Sequence, residues 1–139
     1  MDLTVSHRWE GNHVAVFSVV GEVDVYTYAM MRDYVLEIVR GETPNSVIIE
    51  SSGIGYLDST GVGVLVLFLK TVRRLGASWG GVSIVGADVR LSKIFRITGL
   101  TKVFPLHETV DGALEELAEL EAASQGSARP ADEAAEDAA

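Results

Sequence analysis

Ser59 and Thr60 stand between an acid, Asp58, and a glycine, Gly61, within the stretch GYLDSTGVGVLVLFLK, Gly55–Lys70. The apolar run that follows reads as a buried helix, so both hydroxyls fall at its start. Three chemistries are open to a hydroxyl in that place. Ser59 or Thr60 can cap the helix by accepting a bond from a first-turn amide, a contribution on the order of 1 kcal/mol. It can act as a nucleophile. Or it can carry a phosphate, since free first-turn N–H groups and the helix dipole favour an anion at that end.

The nucleophile reading finds little support. Ser59 lacks the Gly-x-Ser-x-Gly elbow, and His7, His13 and His107, the candidate bases, fall in strands or edge loops. DSTG has no second copy with which to pair carboxylates as an acid protease requires. The GIG and GVG pairs lack both the lysine of a phosphate-binding loop and the third glycine of a dinucleotide turn. Their glycines read instead as permits for tight turning and close helix–sheet approach. The histidines show no metal-ligand spacing, and with no cysteine in the chain there is no thiolate, disulfide or Cys-based metal site. No cofactor, metal or catalytic residue is therefore expected. What survives is a hydroxyl that caps, or one that takes a phosphate.

The elements that must hold this loop follow from periodicity. LTVSHRW and HVAVFSVVG read as two antiparallel strands turning at Gly11-Asn12. TYAMMRDYVLEIVR has helical spacing with Thr27 as N-cap, and SVIIE is a short strand buried on both faces. Val62–Leu75 is helical and apolar nearly all round, ending at Gly76. GVSIVG is a further strand, and ADVRLSKIFRITG a helix with Gly99 as its C-terminal stop. KVFPL gives an edge strand, because Pro105 cannot donate to an interior ladder. A last helix, ETVDGALEELAELEAA, has Thr109 as N-cap and Asp111 in its first turn. The order β-β-α-β-α-β-α-β-α predicts an α/β fold, a mixed sheet of about five strands with four helices packed on it. Loops after strand C-termini are the functional edge of such a sheet, and both the Asp58–Gly61 loop and GEVD, Gly21–Asp24, lie there.

Composition narrows the class. The 139 residues are 47% apolar and suit one domain, residues 1–121, and a tail, 122–139, that lacks any large apolar residue and is expected to be disordered. Formal net charge is −9; the tail's four acids and Arg129 make −3 of it and leave −6 on the domain, which argues against direct nucleic-acid binding. Lys70/Arg73/Arg74 and Arg90/Lys93/Arg96 read as solvated helix faces or ends, and Trp9 and Trp79 as core or rim. No basic segment precedes an apolar block at the N-terminus, and the longest apolar run, Val64–Leu69, is far short of a bilayer span of about 20 residues. The expectation is a cytoplasmic protein without membrane partners.

GEVDVYT, GIGYLDSTGVGVLVLFLK, GVSIVG and KIFRITGLTKVFPLHETVDGAL, in that order and spacing, closely resemble bacterial anti-sigma-factor antagonists of the STAS domain family (sulfate transporter and anti-sigma antagonist). The resemblance runs from Val14 to Leu120 and implies the STAS-like mixed sheet. It implies that Ser59, the serine directly after the loop aspartate, and not Thr60, is the phosphoacceptor. It places Asp24, Asp58, Ser59, Thr60 and Gly61 at the partner-binding edge. The partners so implied are an anti-sigma factor with serine-kinase activity and a phosphatase that removes the phosphate. Unphosphorylated chain would bind the anti-sigma factor and free sigma; phosphorylation would end that binding. A free-standing STAS accessory subunit of a membrane lipid or anion transporter is the alternative. One departure stands out: Glu50-Ser51 replaces the family's usual Asp-Leu pair, putting a hydroxyl either in the core or on the partner surface.

Overall fold

The computed structural model describes residues 2–76 and 80–131, the last six by backbone only. Trp79 and residues 132–139 of the tail lie outside the described residues. In chain order the elements are β1 (Leu3–Glu10), β2 (Val14–Val23), α1 (Tyr28–Glu42), β3 (Ser46–Glu50), β4 (Ile54–Leu57), α2 (Ser59–Arg74), β5 (Val82–Val85), α3 (Val89–Ile97), a 3-10 turn (Leu100–Lys102), β6 (Leu106–His107) and α4 (Val110–Ala131).

β1 and β2 form the expected hairpin, with register Leu3↔Gly21 to Glu10↔Val14. Gly11 and His13, rather than Asn12, take the left-handed backbone of its turn, at φ 55° and 58°. Trp9 lies at the rim, stacked on His13 with ring centroids 4.6 Å apart. Sheet order is β1-β2-β3-β5-β6, antiparallel at β1–β2 and parallel thereafter. β6 is the edge strand, with Pro105 just ahead of it accepting from Ile84 N at 2.9 Å.

The short strand β4 is the element the sequence hides. It lies parallel to the upper half of β2, Gly21–Val23, while β3 occupies the lower half, Val14–Ser18. β2 is ten residues long, enough to carry two partners end to end. Gly53 makes the approach possible: a Cβ there would sit 2.8 Å from Val20 Cγ2, and its carbonyl accepts from Gly21 N at 2.9 Å. Glycine-rich composition around a four-residue strand masks the β signal.

Alternation along β2 divides the core. Ala15, Phe17, Val19 and Val23 face α1, α2 and α3, where Met31, Val35, Phe68, Leu69, Leu91 and Phe95 complete the larger cluster. Val14 and Val16, with Ile48 and Val85, face α4 through Ala113 and Leu117. Thr109 caps α4 as expected, accepting from Gly112 N at 3.0 Å, and Gly99 stops α3 at φ 75°. α4 runs on to Ala131, ten residues past the boundary expected at residue 121.

Candidate functional site

The two loops expected to matter meet at the C-terminal ends of β2 and β4. The chain leaves β2 at Val23 and turns through Asp24–Thr27 into α1; it leaves β4 at Leu57 and enters α2 at Ser59. Pairing of Val23 with Leu57 holds the turns side by side. Between them lies an open cleft of ≈ 500 Å³ lined by Glu22, Asp24, Val25, Gly55, Tyr56 and Asp58.

Asp58 is the N-cap of α2. Its Oδ1 accepts from Thr60 N at 3.0 Å and Gly61 N at 3.3 Å. Neither Ser59 nor Thr60 is the cap, which corrects that expectation: the extended backbone of Asp58, φ −109° and ψ −168°, belongs to a cap residue, and Ser59 is already helical. Ser59 is exposed and Thr60 half-buried. Of the first-turn amides expected to be free for a phosphate on Ser59, the Asp58 carboxylate occupies those of Thr60 and Gly61.

Two residues expected at the partner-facing edge have other work. Asp24 is only 6% exposed. Its Oδ1 accepts from Tyr26 N at 2.8 Å and Thr27 N at 3.1 Å, so the carboxylate shapes the turn into α1 from within. Thr27 makes no side-chain cap bond to α1; its hydroxyl donates to Glu22 O at 2.6 Å instead. Gly61 is buried, and a Cβ there would fall 2.8 Å from Leu57 Cγ and 2.9 Å from Val23 Cγ1. Its missing side chain lets α2 start hard against the sheet, which fixes where Ser59 points.

Ser51 falls in the core. Its hydroxyl donates to Val85 O at 2.8 Å, so of the two places open to this hydroxyl it takes the core, where it is satisfied across the sheet. Sequence reasoning passed over the apolar rim of the cleft. Tyr26 is 86% exposed, and Val25 and Tyr56 are also exposed. The available signal was an apolar pair, Val25-Tyr26, directly after the GEVD turn and out of phase with the buried stripe of α1. Arg90 of α3, read from sequence as part of a solvated helix face or end, has a second role: its guanidinium donates to Gly55 O at 2.6 Å and ties α3 to the free side of β4.

The arrangement holds no nucleophile–base pair: the His7 ring is bonded to Tyr34 Oη, that of His13 to Glu42 O and that of His107 to Glu116, all on other elements. Among the described residues there is no cluster of ligating side chains for a metal ion, and no helix is long and apolar enough to cross a membrane.

A model of the STAS domain matches residues 10–113. The anti-sigma-B factor antagonist of Bacillus subtilis (strain 168) is 26% identical over 115 residues, 83% of this chain and 100% of that protein. That of Staphylococcus epidermidis is 34% identical over 88 residues, 63% of this chain and 78% of its own length. The crystal structure of an anti-sigma factor antagonist from Mycobacterium paratuberculosis superposes with a TM-score of 0.72 at 28% identity, covering 84% of this chain and 95% of that one.

Proposed function

The chain belongs to the STAS domain family, and from that premise we propose that it is an anti-sigma-factor antagonist whose binding is gated by phosphate on Ser59. Unphosphorylated, it binds an anti-sigma factor that is also a serine kinase, and sigma factor is released. Phosphorylation of Ser59 by that partner ends the association, and a phosphatase restores it. The protein acts as a binding module and does no chemistry of its own.

The observation that carries this reading is an exposed Ser59 hydroxyl beside a cap carboxylate that has already taken the neighbouring amides. A kinase can reach the hydroxyl. The phosphate would then stand next to Asp58 with the amides of Thr60 and Gly61 already taken, leaving its charge less offset. Two unit charges about 6 Å apart repel by about 3 kcal/mol at an effective dielectric of about 20. A phosphoserine of nearly two charges facing one partner carboxylate would cost about 5 kcal/mol, more than 10³-fold in affinity. Losing the hydroxyl's own hydrogen bond would cost only about 1 kcal/mol. Charge, not shape, is the switch.

The test is mass spectrometry of the protein isolated from its host, with phosphate expected on Ser59 and not on Thr60. An unmodified Ser59 under all growth conditions, with co-purification of a membrane permease, would assign the chain to transporter accessory subunits instead.

A further inference from the structure

Helices α3 and α4 pack on opposite faces of the sheet, and their outward surfaces are complementary. α3 buries Leu91 and Phe95, so Val89, Lys93 and Ile97 form one outward stripe at i, i+4, i+8, with Arg96 beside it. Val89 is 83% and Ile97 73% exposed. β-Branched residues on the solvent side of a nine-residue helix lower its propensity and add nothing to its packing, so intrinsic helix stability does not account for them. α4 buries Ala113 and Leu117, which turns Asp111, Glu115 and Glu119 outward at the same i, i+4, i+8 spacing, with Ala118 and Ala122 exposed alongside. Each stripe spans eight residues, about 12 Å at the helical rise. Among the described residues Lys93, Arg96, Asp111, Glu115 and Glu119 make no ion pair.

We propose that the α3 stripe of one copy docks on the α4 stripe of a second copy, Lys93 and Arg96 against Glu115 and Glu119, with Ile97 seated between Ala118 and Ala122. The small alanines leave room for the branched side chain, and the acids meet cations that have no partner at home. Because donor and acceptor surfaces lie on opposite faces of one sheet, the contact is head-to-tail and leaves a free stripe at each end. Short open chains form rather than a closed dimer. The association does not depend on the reading of Ser59.

Sedimentation velocity of the full chain tests this. Average mass should climb between about 10 and 500 μM, as a small contact below about 1,200 Å² demands. It should fall back to monomer as salt rises from about 0.1 M to 1 M and the screening length drops from about 10 Å to 3 Å. Lys93→Glu/Arg96→Glu should stay monomeric, and so should Glu115→Lys/Glu119→Lys. Mixing these two variants should restore assembly, because each then offers the sign the other lacks; circular dichroism confirms that both are folded. A wild-type chain that is monomeric throughout, or a mixture that stays monomeric, overturns the proposal. So does loss of assembly on ending the chain at Ala131, which would make residues 132–139 the occupant.

Discussion

At the scale of single residues, the decisive pair is Asp58 and Ser59. The aspartate does two things at once: it caps α2, and it holds a negative charge beside the hydroxyl. Substitution can separate them. Asp58→Asn keeps a capping oxygen and should change stability by only a few tenths of a kcal/mol, whereas Asp58→Ala should cost about 1 kcal/mol in urea unfolding. On the proposed function, Ser59→Ala should bind the anti-sigma partner constitutively and Ser59→Asp should bind at least tenfold more weakly in a titration. Equal affinities would remove charge as the switch. Ser59→Thr should remain phosphorylatable in a kinase assay, since the helix start and not the serine methylene presents the hydroxyl. The motif itself was legible in sequence, because an acid, two hydroxyls and a glycine ahead of an apolar run is a local signal. Which oxygen caps was not, since Asp, Ser and Thr are all good caps and only the backbone of residue 58 decides.

Elements decide how precisely that pair is held. α2 begins against β2 and β4 because Gly61 has no side chain there, so Gly61→Ala should push the helix start outward. The expected cost is about 1–3 kcal/mol, as for other overpacked sites, read as a lower melting temperature together with weaker partner binding. Gly63, exposed on the same helix with nothing within 4 Å of an added Cβ, is the control. There Gly63→Ala should stabilise by up to about 1 kcal/mol through helix propensity. Long periodic elements such as α1, α2 and the β1–β2 hairpin could be read from sequence because each repeats its apolar spacing several times. β4 could not: four residues, one of them glycine, offer too few periods, and its existence depends on the upper half of β2 being vacant. Asp24 looked like a surface acid for a related reason. Nothing local shows that two backbone donors, from Tyr26 and Thr27, turn its carboxylate inward.

Over the whole molecule, charge and packing are unevenly spread. The larger core lies under α1, α2 and α3, and α4 closes the other face through a smaller set of contacts around Ala113 and Leu117. A chain ending at Gln125 keeps every residue of both core clusters and should unfold within about 0.5 kcal/mol of the full protein. The division of β2 between two partners has a consequence for motion. Its lower half is locked between β1 and β3 over five paired positions, Val14 to Ser18, while its upper half is held by β4, a strand tethered on its far side by the Arg90 bond to Gly55. Amide exchange in deuterated water should divide along the same line, with the protons of Val14–Ser18 among the slowest and those of Tyr56 and Leu57 replaced much earlier. The serine would then ride on a segment that can lift away while the rest of the sheet stays closed, giving a visiting kinase active site room to engage it.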